Sequence, residues 1–410
     1  MSHFAYRDGI LHADDVPLTR IADELGTAVH VYSASALRAA ADAFSHALAR
    51  IGGARLAFAV KANPNRALLR LLAARGYGAD IVSGGELRCA LAAGMAPHAI
   101  VFSGVGKTDA ELIQALDAGI GQFNLELEEE GTVLAALAAA RGLRAPAVLR
   151  INPDVDAATH AKISTGARDN KFGVPIAEAA AMYDRLARRD GIELRGVALH
   201  IGSQLHELAP LEQAYRRIGD LVAALRARGH AVSHVDLGGG LAIPYAADEI
   251  TPSLADYAAM VARVTAGWNV ALTFEPGRVI VGAAGVLLTR VIWVKPGARH
   301  PYVIVDAAMN DLARPALYGA VHRFAAVVPD GRRMVANIAG PVCETGDTFA
   351  LGCAIDRVAR GDLAVFHTTG AYGASMASTY NCRPIIPQVL VDGARYAVVG
   401  EKDEPYARAA

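Results

Sequence analysis

Hydrophobic residues are not spread evenly along this chain. From residue 56 onward, short apolar runs alternate with stretches of about 10 to 20 residues that carry helical periodicity. The runs lie at 56–60, 79–82, 100–102, 122–125, 147–151, 196–200, 234–237 and 272–274. They are short and mostly continuous, as expected for strands buried on both faces. Seven connections between them carry helical sequence, the first at 66–75 and the last at 254–268. Eight strands with intervening helices over about 220 residues predict an α/β fold, a closed (β/α)8 TIM barrel. An open doubly wound sheet fits less well, because no GxGxxG follows the first run.

After Arg278 the rhythm changes. Extended runs at 285–294, 302–305, 334–336, 363–366, 388–391 and 395–398 are separated by Gly, Pro and Asp turns. This predicts a C-terminal all-β domain, a sandwich or small barrel. At the other end, Asp8-Gly9 between apolar pairs reads as a hairpin turn, and 18–25 as a short helix closed by Gly26. Residues 29–32 look extended, and Ser33 and Ser35 are candidate N-caps for a helix reaching about residue 50. A barrel has no place for the N-terminal hairpin. The expected domains are therefore a barrel at 33–277 and a β domain made of 1–32 plus 278–410.

The composition removes whole classes of function. With 410 residues, 53% of them hydrophobic and 20% charged, the chain can bury large cores. Its net charge of −1, without a long run of like charge, argues against nucleic acid or an anionic membrane as partner. No apolar stretch is long enough to span a bilayer, and Met1-Ser2-His3-Phe4 does not begin a signal sequence. A cytoplasmic location is expected. Cys89, Cys343, Cys353 and Cys382 form no CxxC pair and show no metal-ligand spacing, so free thiols and no metal are expected.

A barrel places its chemistry just beyond the carboxyl ends of its strands. Lys61 closes the first run, ahead of the turn Asn63-Pro64-Asn65. An ammonium there must reach water, find an acid or lose its proton, because desolvating a charge is costly. Deprotonated, it can form a Schiff base with a carbonyl; otherwise it simply snorkels to solvent. The later runs end at Ser83-Gly84-Gly85-Glu86, Ser103, Asn124, Arg150 with Asn152, His200 with Ser203, Gly238-Gly239-Gly240 and Glu275-Pro276-Gly277-Arg278. Three glycines after a strand are either a flexible turn or a cradle whose backbone N–H groups approach a phosphate. A reactive lysine together with such a cradle suggests pyridoxal phosphate. Glu275 could then favour a protonated pyridine nitrogen, which is the stronger electron sink. His200 could stack on the ring or be an ordinary core histidine. In the β domain, Cys343-Glu344 could donate a proton to a carbanion or hold an inert thiol. Arg314 and Tyr318 suit a carboxylate, and Tyr372 sits on the glycine-flanked turn Gly370-Ala371-Tyr372-Gly373.

Eight motifs in fixed order carry a family resemblance: Val60-Lys61-Ala62-Asn63, Ser83-Gly84-Gly85-Glu86, His200-Ile201-Gly202-Ser203, Gly238-Gly239-Gly240, Glu275-Pro276-Gly277-Arg278, Arg314-Pro315-Ala316-Leu317-Tyr318, Cys343-Glu344 and Ala371-Tyr372-Gly373. From Tyr6 to Val398 the chain resembles the diaminopimelate decarboxylases, a family of barrel-type (fold type III) pyridoxal-phosphate-dependent decarboxylases. The resemblance implies that Lys61 carries pyridoxal 5'-phosphate as a Schiff base, that His200 stacks on its ring and that Glu275 holds its nitrogen. Ser203, Gly238, Gly239, Gly240, Gly277, Arg278 and Tyr372 then surround the cofactor, and Arg278, Arg314, Tyr318, Glu344 and Tyr372 hold the substrate. It also implies a homodimer with shared active sites, in which Cys343-Glu344 enters the neighbour's site. The loop from Ile163-Ser164-Thr165-Gly166 to Lys171-Phe172-Gly173 is similar to the family's active-site cover. Thr345 departs from the family's common Ser. The implied reaction removes CO2 from the D centre of meso-2,6-diaminopimelate and releases L-lysine, the last step of lysine biosynthesis. The alternatives are a decarboxylase of another basic amino acid, of the ornithine or arginine type, and a non-catalytic pyridoxal-phosphate-binding protein. The latter needs only a barrel, whereas here about 130 residues with Arg314, Cys343 and Tyr372 follow it.

Overall fold

The structure, a computed structural model, describes residues 3–157, 170–246 and 248–403. The eight expected strands form: β1 (Arg55–Ala59), β2 (Gly78–Ile81), β3 (Ile100–Phe102), β4 (Gln122–Leu125), β5 (Ala145–Asn152), β6 (Ile192–Leu199), β7 (His234–Asp236) and β8 (Ala271–Phe274). Neighbours pair in parallel, and β8 returns to β1 through Thr273 opposite Arg55 and Phe274 opposite Leu56, so the sheet closes. The continuous runs have the expected cause: every residue of β2, β3 and β4 is buried.

Among the described residues, seven helices fill the connections, from Arg66–Ala73 to Leu254–Val264. Four of the seven starts are set by side chains that accept orphan backbone N–H groups. Asn65 accepts from Ala67 N at 3.0 Å, and Ser253 from Asp256 N at 3.0 Å. Thr108 and Glu111 form a reciprocal capping box. Ser83 likewise accepts from Glu86 N at 3.2 Å, while the Glu86 carboxylate accepts from Val82 N at 2.7 Å. The Ser83-Gly84-Gly85-Glu86 motif is thus at least the start of the helix Gly84–Ala92.

The chain divides into two compact units. One is the barrel, Ala41–Ala242 with Ile250–Gly277; the other joins Met1–Ala40, Ile243–Glu249 and Arg278–Ala410. The second is built mostly of strands, with short helices such as Leu18–Leu25 and Arg314–Tyr318. Its main sheet runs in the order Thr348–Asp356, Arg333–Ala339, Tyr302–Val305, Gly285–Lys295, Val29–Ser33, Gln388–Asp392, Arg395–Gly400. Leu363–Phe366 pairs with both Gly285–Lys295 and Phe324–Ala326. The long central strand alternates faces: Leu287 and Val291 join one apolar cluster, while Val286 and Leu288 join another. Residues 29–33 belong here because they bond on both sides within this sheet.

The N-terminal hairpin forms as expected, with Asp8 and Gly9 at φ 49° and 78° between Phe4–Arg7 and Ile10–Ala13. Ser33, not Ser35, caps the helix Ala34–Leu48, accepting from Ala36 N at 2.9 Å. The Ser35 hydroxyl donates to Asp14 instead. Four strands lie outside the expected set, Val16–Pro17, Val174–Pro175, Phe324–Ala326 and Thr348–Asp356.

Candidate active site

Lys61 lies in the single 3-10 turn Val60–Ala62 that ends β1. Its Nζ donates to Asp80 Oδ2 at 2.8 Å, and Asp80, on β2, is completely buried. Of the three ways to accommodate this ammonium, the chain supplies an acid, while the lysine keeps a partly exposed side chain. Asp80 sits inside an apolar run and was not singled out from the sequence. An acid at an inward position of a buried strand was the available signal.

Deeper in the same mouth stands a polar layer drawn from four strands. Gln122 Nε2 donates to Asp236 Oδ2 at 2.9 Å and to Asn124 Oδ1 at 2.8 Å. Asn124 Nδ2 donates to Ser103 Oγ at 2.9 Å and reaches Glu275 Oε1 at 3.5 Å. Asp236 Oδ1 accepts from Gly238 N at 3.0 Å. Burial drives Glu275 well above the usual carboxylate range, and the charges of Asp236 and Asp80 add to that rise. Burial also raises Asp236, opposed by the N–H groups that bond it.

His200 follows β6 and is held neutral, pushed well below the usual histidine range by burial and then by the charges of Lys61 and Arg150. Gly239 N donates to its Nδ1 at 3.3 Å, which leaves the ring proton on Nε2. The three glycines after β7 are required by space as well as by φ. A Cβ on Gly238 (φ +66°) would lie 2.4 Å from Leu199 O, one on Gly239 2.2 Å from Glu275 O, and one on Gly240 (φ +117°) 2.3 Å from Gly202 O. The triplet is a shaped backbone cradle rather than a loose turn. Within it, the N–H of Gly238 serves Asp236. A lysine amine, an acid, a neutral imidazole and a glycine cradle thus converge in one barrel, the donor set that pyridoxal phosphate needs.

Arg150 closes another edge of the mouth. Its Nη1 donates to buried Glu126 at 2.6 Å, and Glu126 also accepts from Gly173 N at 2.7 Å. The Phe172 ring lies 4.8 Å from the Arg150 guanidinium. Phe172 and Gly173 belong to the expected cover loop, whose residues 163–169 lie outside the described residues.

The remaining candidates gather in the β unit. Arg278 donates to Tyr245 Oη at 2.5 Å, with its guanidinium 4.8 Å from the Tyr372 ring centre. Arg314, buried at the start of the helix Arg314–Tyr318, lies 4.5 Å from the Tyr245 ring. Its Nη1 donates to His322 Nε2 at 2.9 Å, and His322 Nδ1 then donates to His367 O at 3.0 Å. His322 must be neutral to accept. Burial and the nearby Arg314 push it down to about 3. Burial also lowers Arg314, and the charge of Arg278 adds to that. Among the described residues no acidic side chain pairs with Arg314. Tyr372 takes φ +57°, rare for a side chain of its size. Tyr245 and His322 were missed in the sequence because neither lies in a motif; only the structure brings them to the arginines.

Cys343 and Glu344 lie on an exposed turn of the same unit. Buried Asp347 organises that turn, accepting from Val342 N at 2.7 Å and Met309 N at 2.6 Å. Asn381 Oδ1 accepts from Cys343 N at 3.0 Å.

Comparison with known proteins adds an independent line. Residues 34–282 match the model of the pyridoxal-dependent decarboxylases, pyridoxal binding domain. A diaminopimelate decarboxylase of Zymomonas mobilis is 48% identical over 405 residues, covering 98% of this chain and 96% of that protein. One of Pseudomonas aeruginosa is also 48% identical, covering 96% and 94%. The crystal structure of diaminopimelate decarboxylase from M. jannaschii in complex with L-lysine superposes with a TM-score of 0.93 at 34% identity, covering 97% of this chain and 95% of that one.

Proposed function

The chain belongs to the diaminopimelate decarboxylases within the pyridoxal-dependent decarboxylase family, and we propose that its barrel mouth is where it acts. The enzyme is a carboxy-lyase that converts meso-2,6-diaminopimelate to L-lysine and CO2, closing lysine biosynthesis. The observation that carries the assignment of the site is the meeting of Lys61, Glu275, His200 and the Gly238–Gly240 cradle in one barrel.

Pyridoxal 5'-phosphate, when bound, supplies the electron sink that accepts the pair left by CO2. Lys61 is the amine for its aldehyde. Glu275 would hold its ring nitrogen, and neutral His200 would offer the ring a flat, uncharged surface. Gly239, Gly240, Gly277, Ser203 and Arg278 are the groups proposed for its phosphate side, with Tyr372. Gly238 is reserved for Asp236, whose orientation it fixes.

The substrate carries an ammonium and a carboxylate on its far carbon. Arg314 is a buried cation without an acidic partner among the described residues, and a substrate carboxylate would provide that partner with charge-assisted hydrogen bonds. Arg278, Tyr318 and Tyr372 are proposed to share that carboxylate, and Glu344 to take the ammonium. Cys343 is proposed as the proton donor to the carbanion. Its exposed turn suits a residue that works in a second copy of the chain, so the proposed assembly is a homodimer with shared sites.

Borohydride reduction of protein loaded with pyridoxal phosphate should fix the label to Lys61, and peptide mapping locates it. A label of equal yield in Lys61→Ala would remove the assignment.

A further inference from the structure

We propose that His322 is a positioning residue that sets substrate specificity: it holds the Arg314 guanidinium through a neutral acceptor, so that the arginine keeps its charge for a carboxylate on the substrate. The inference rests on Arg314 being the residue that takes the far carboxylate, and it adds a residue that no motif contains.

The chain brings the two side chains together locally. The helix Arg314–Tyr318 ends at Gly319, whose φ of +59° turns the backbone, and Gly319 N bonds to Pro315 O at 2.9 Å. His322 then lies just ahead of the strand Phe324–Ala326, which pairs with Leu363–Phe366. Arg323 O accepts from His367 N at 2.9 Å, so the pairing runs on to the neighbour of His322.

The bonds fix the form of the ring. A guanidinium has N–H donors and no acceptor. Arg314 Nη1 lies 2.9 Å from His322 Nε2, so Nε2 presents a lone pair and carries no proton. Nδ1 lies 3.0 Å from His367 O, which can only accept, so Nδ1 carries the proton. Both ring nitrogens are satisfied with the imidazole neutral. A second proton would set N–H against N–H. Arg314 and His322 are both 5% exposed, and both rest on Tyr245. The imidazole meets that ring edge-on with 5.0 Å between centres, and the guanidinium lies 4.5 Å from its centre. A neutral nitrogen and an aromatic face hold the cation in place without cancelling its charge.

An Asp or Glu at position 322 would also hold the guanidinium. It would pair with it as well, and an incoming carboxylate would then meet an ion pair instead of an open cation. With histidine there, a ligand that lacks a second carboxylate leaves Arg314 buried and unpaired, which weighs against that ligand. The neutral acceptor therefore sets the ligand class, an amino acid with a carboxylate at its far end.

The test reads the carboxylate as a ratio. L-Lysine and 1,5-diaminopentane differ by one carboxylate, so the ratio of their dissociation constants isolates its contact. Both are titrated by calorimetry into protein loaded with pyridoxal phosphate. The wild type should bind L-lysine about 30- to 4,000-fold more tightly. His322→Phe should shrink that ratio about 5- to 150-fold. His322→Glu should bring it close to one, while His322→Gln, which keeps a neutral acceptor, should retain most of it. Both ligands are measured on the same preparation, so a loss of folded or loaded protein cancels. An unchanged ratio in His322→Phe or His322→Glu overturns the proposal, and so does a His322→Gln ratio that falls as far as that of His322→Phe. Arg314→Ala separates this from the reading beneath it. A ratio that persists in Arg314→Ala overturns the carboxylate role of Arg314 and the proposal with it. A ratio that collapses in Arg314→Ala but persists in the His322 variants overturns only the role of His322.

Discussion

The barrel mouth and the arginine cluster of the β unit both bury charge, and they do so by opposite means. In the barrel, carboxyl groups crowd together: Asp80, Asp236 and Glu275 are all buried, Lys61 and fixed amides oppose the surplus negative charge, and burial raises Glu275 well above the usual carboxylate range. In the β unit, cations crowd together. Arg278 and Arg314 share the faces of Tyr245 and Tyr372, and the acceptor offered to Arg314 is a neutral histidine. A carboxylate there would neutralise Arg314 permanently; a histidine leaves its charge available. On the proposed reading, one region would receive a cationic ring and the other an anion.

Glu275→Gln is the sharpest way to break the comparison. It should lower kcat about 10²- to 10⁴-fold with cofactor content nearly unchanged, measured by CO2 release beside the absorbance of the bound chromophore. Near-normal turnover would show that the acid at that position is dispensable. Arg314→Ala should do the reverse, leaving the chromophore intact. It should reduce kcat/KM for meso-diaminopimelate about 30- to 4,000-fold, as expected for about 2–5 kcal/mol from a buried charged contact. The loss should be far smaller for a diamine-type amino acid that has no second carboxylate. His322→Phe removes the acceptor while keeping bulk. An unsatisfied buried donor costs about 1–3 kcal/mol, so KM for meso-diaminopimelate should rise about 5- to 150-fold with kcat much less affected. An unchanged KM would show that His322 does not position Arg314.

The two regions should also part on acidification. His30, His322 and His367 are held by burial at about 4, 3 and 3, below the ordinary value near 6.5. The unfolded chain therefore binds protons first as pH falls below about 6.5, and each neutral histidine removes about 1.4 kcal/mol of stability per pH unit until its folded pKa is reached. Asp311, raised to about 7 by burial, offsets one of the three. In the barrel mouth the lowered His200 acts in the same direction, but Glu86, raised to about 7, and the raised Glu275 and Asp236 act in the other direction and outnumber it. Their folded forms take up protons first, so that contribution grows as pH falls and is lost as pH rises through the folded values. Amide hydrogen exchange at pH 7 and pH 5 should show protection lost in the β-unit strands around His322 before it is lost in β2, β7 and β8.

These predictions also mark what could be read from sequence. The eight barrel strands were legible because each is a short buried run with a polar or glycine end, and Thr108, Ser253 and Asn65 set helix starts by local chemistry. Phe324–Ala326 was missed because three residues carry no period. Thr348–Asp356 was missed because Gly352 and small residues blur the alternation. In the site, Lys61, His200 and Glu275 stand where a strand gives way to a loop, which made them visible. Asp80 lies one step inside β2 and Asp236 is the last residue of β7, and both read as parts of apolar runs. Tyr245 and His322 are 77 residues apart in sequence but 5.0 Å apart between ring centres, a relation that no local pattern encodes.

The most direct test of the central claim is CO2 release by the unmodified protein, loaded with pyridoxal phosphate, from meso-diaminopimelate, L-ornithine and L-arginine. An account in which a buried cationic cluster selects a second carboxylate predicts kcat/KM for meso-diaminopimelate at least about a thousandfold above the other two. Comparable turnover of L-ornithine or L-arginine would contradict it.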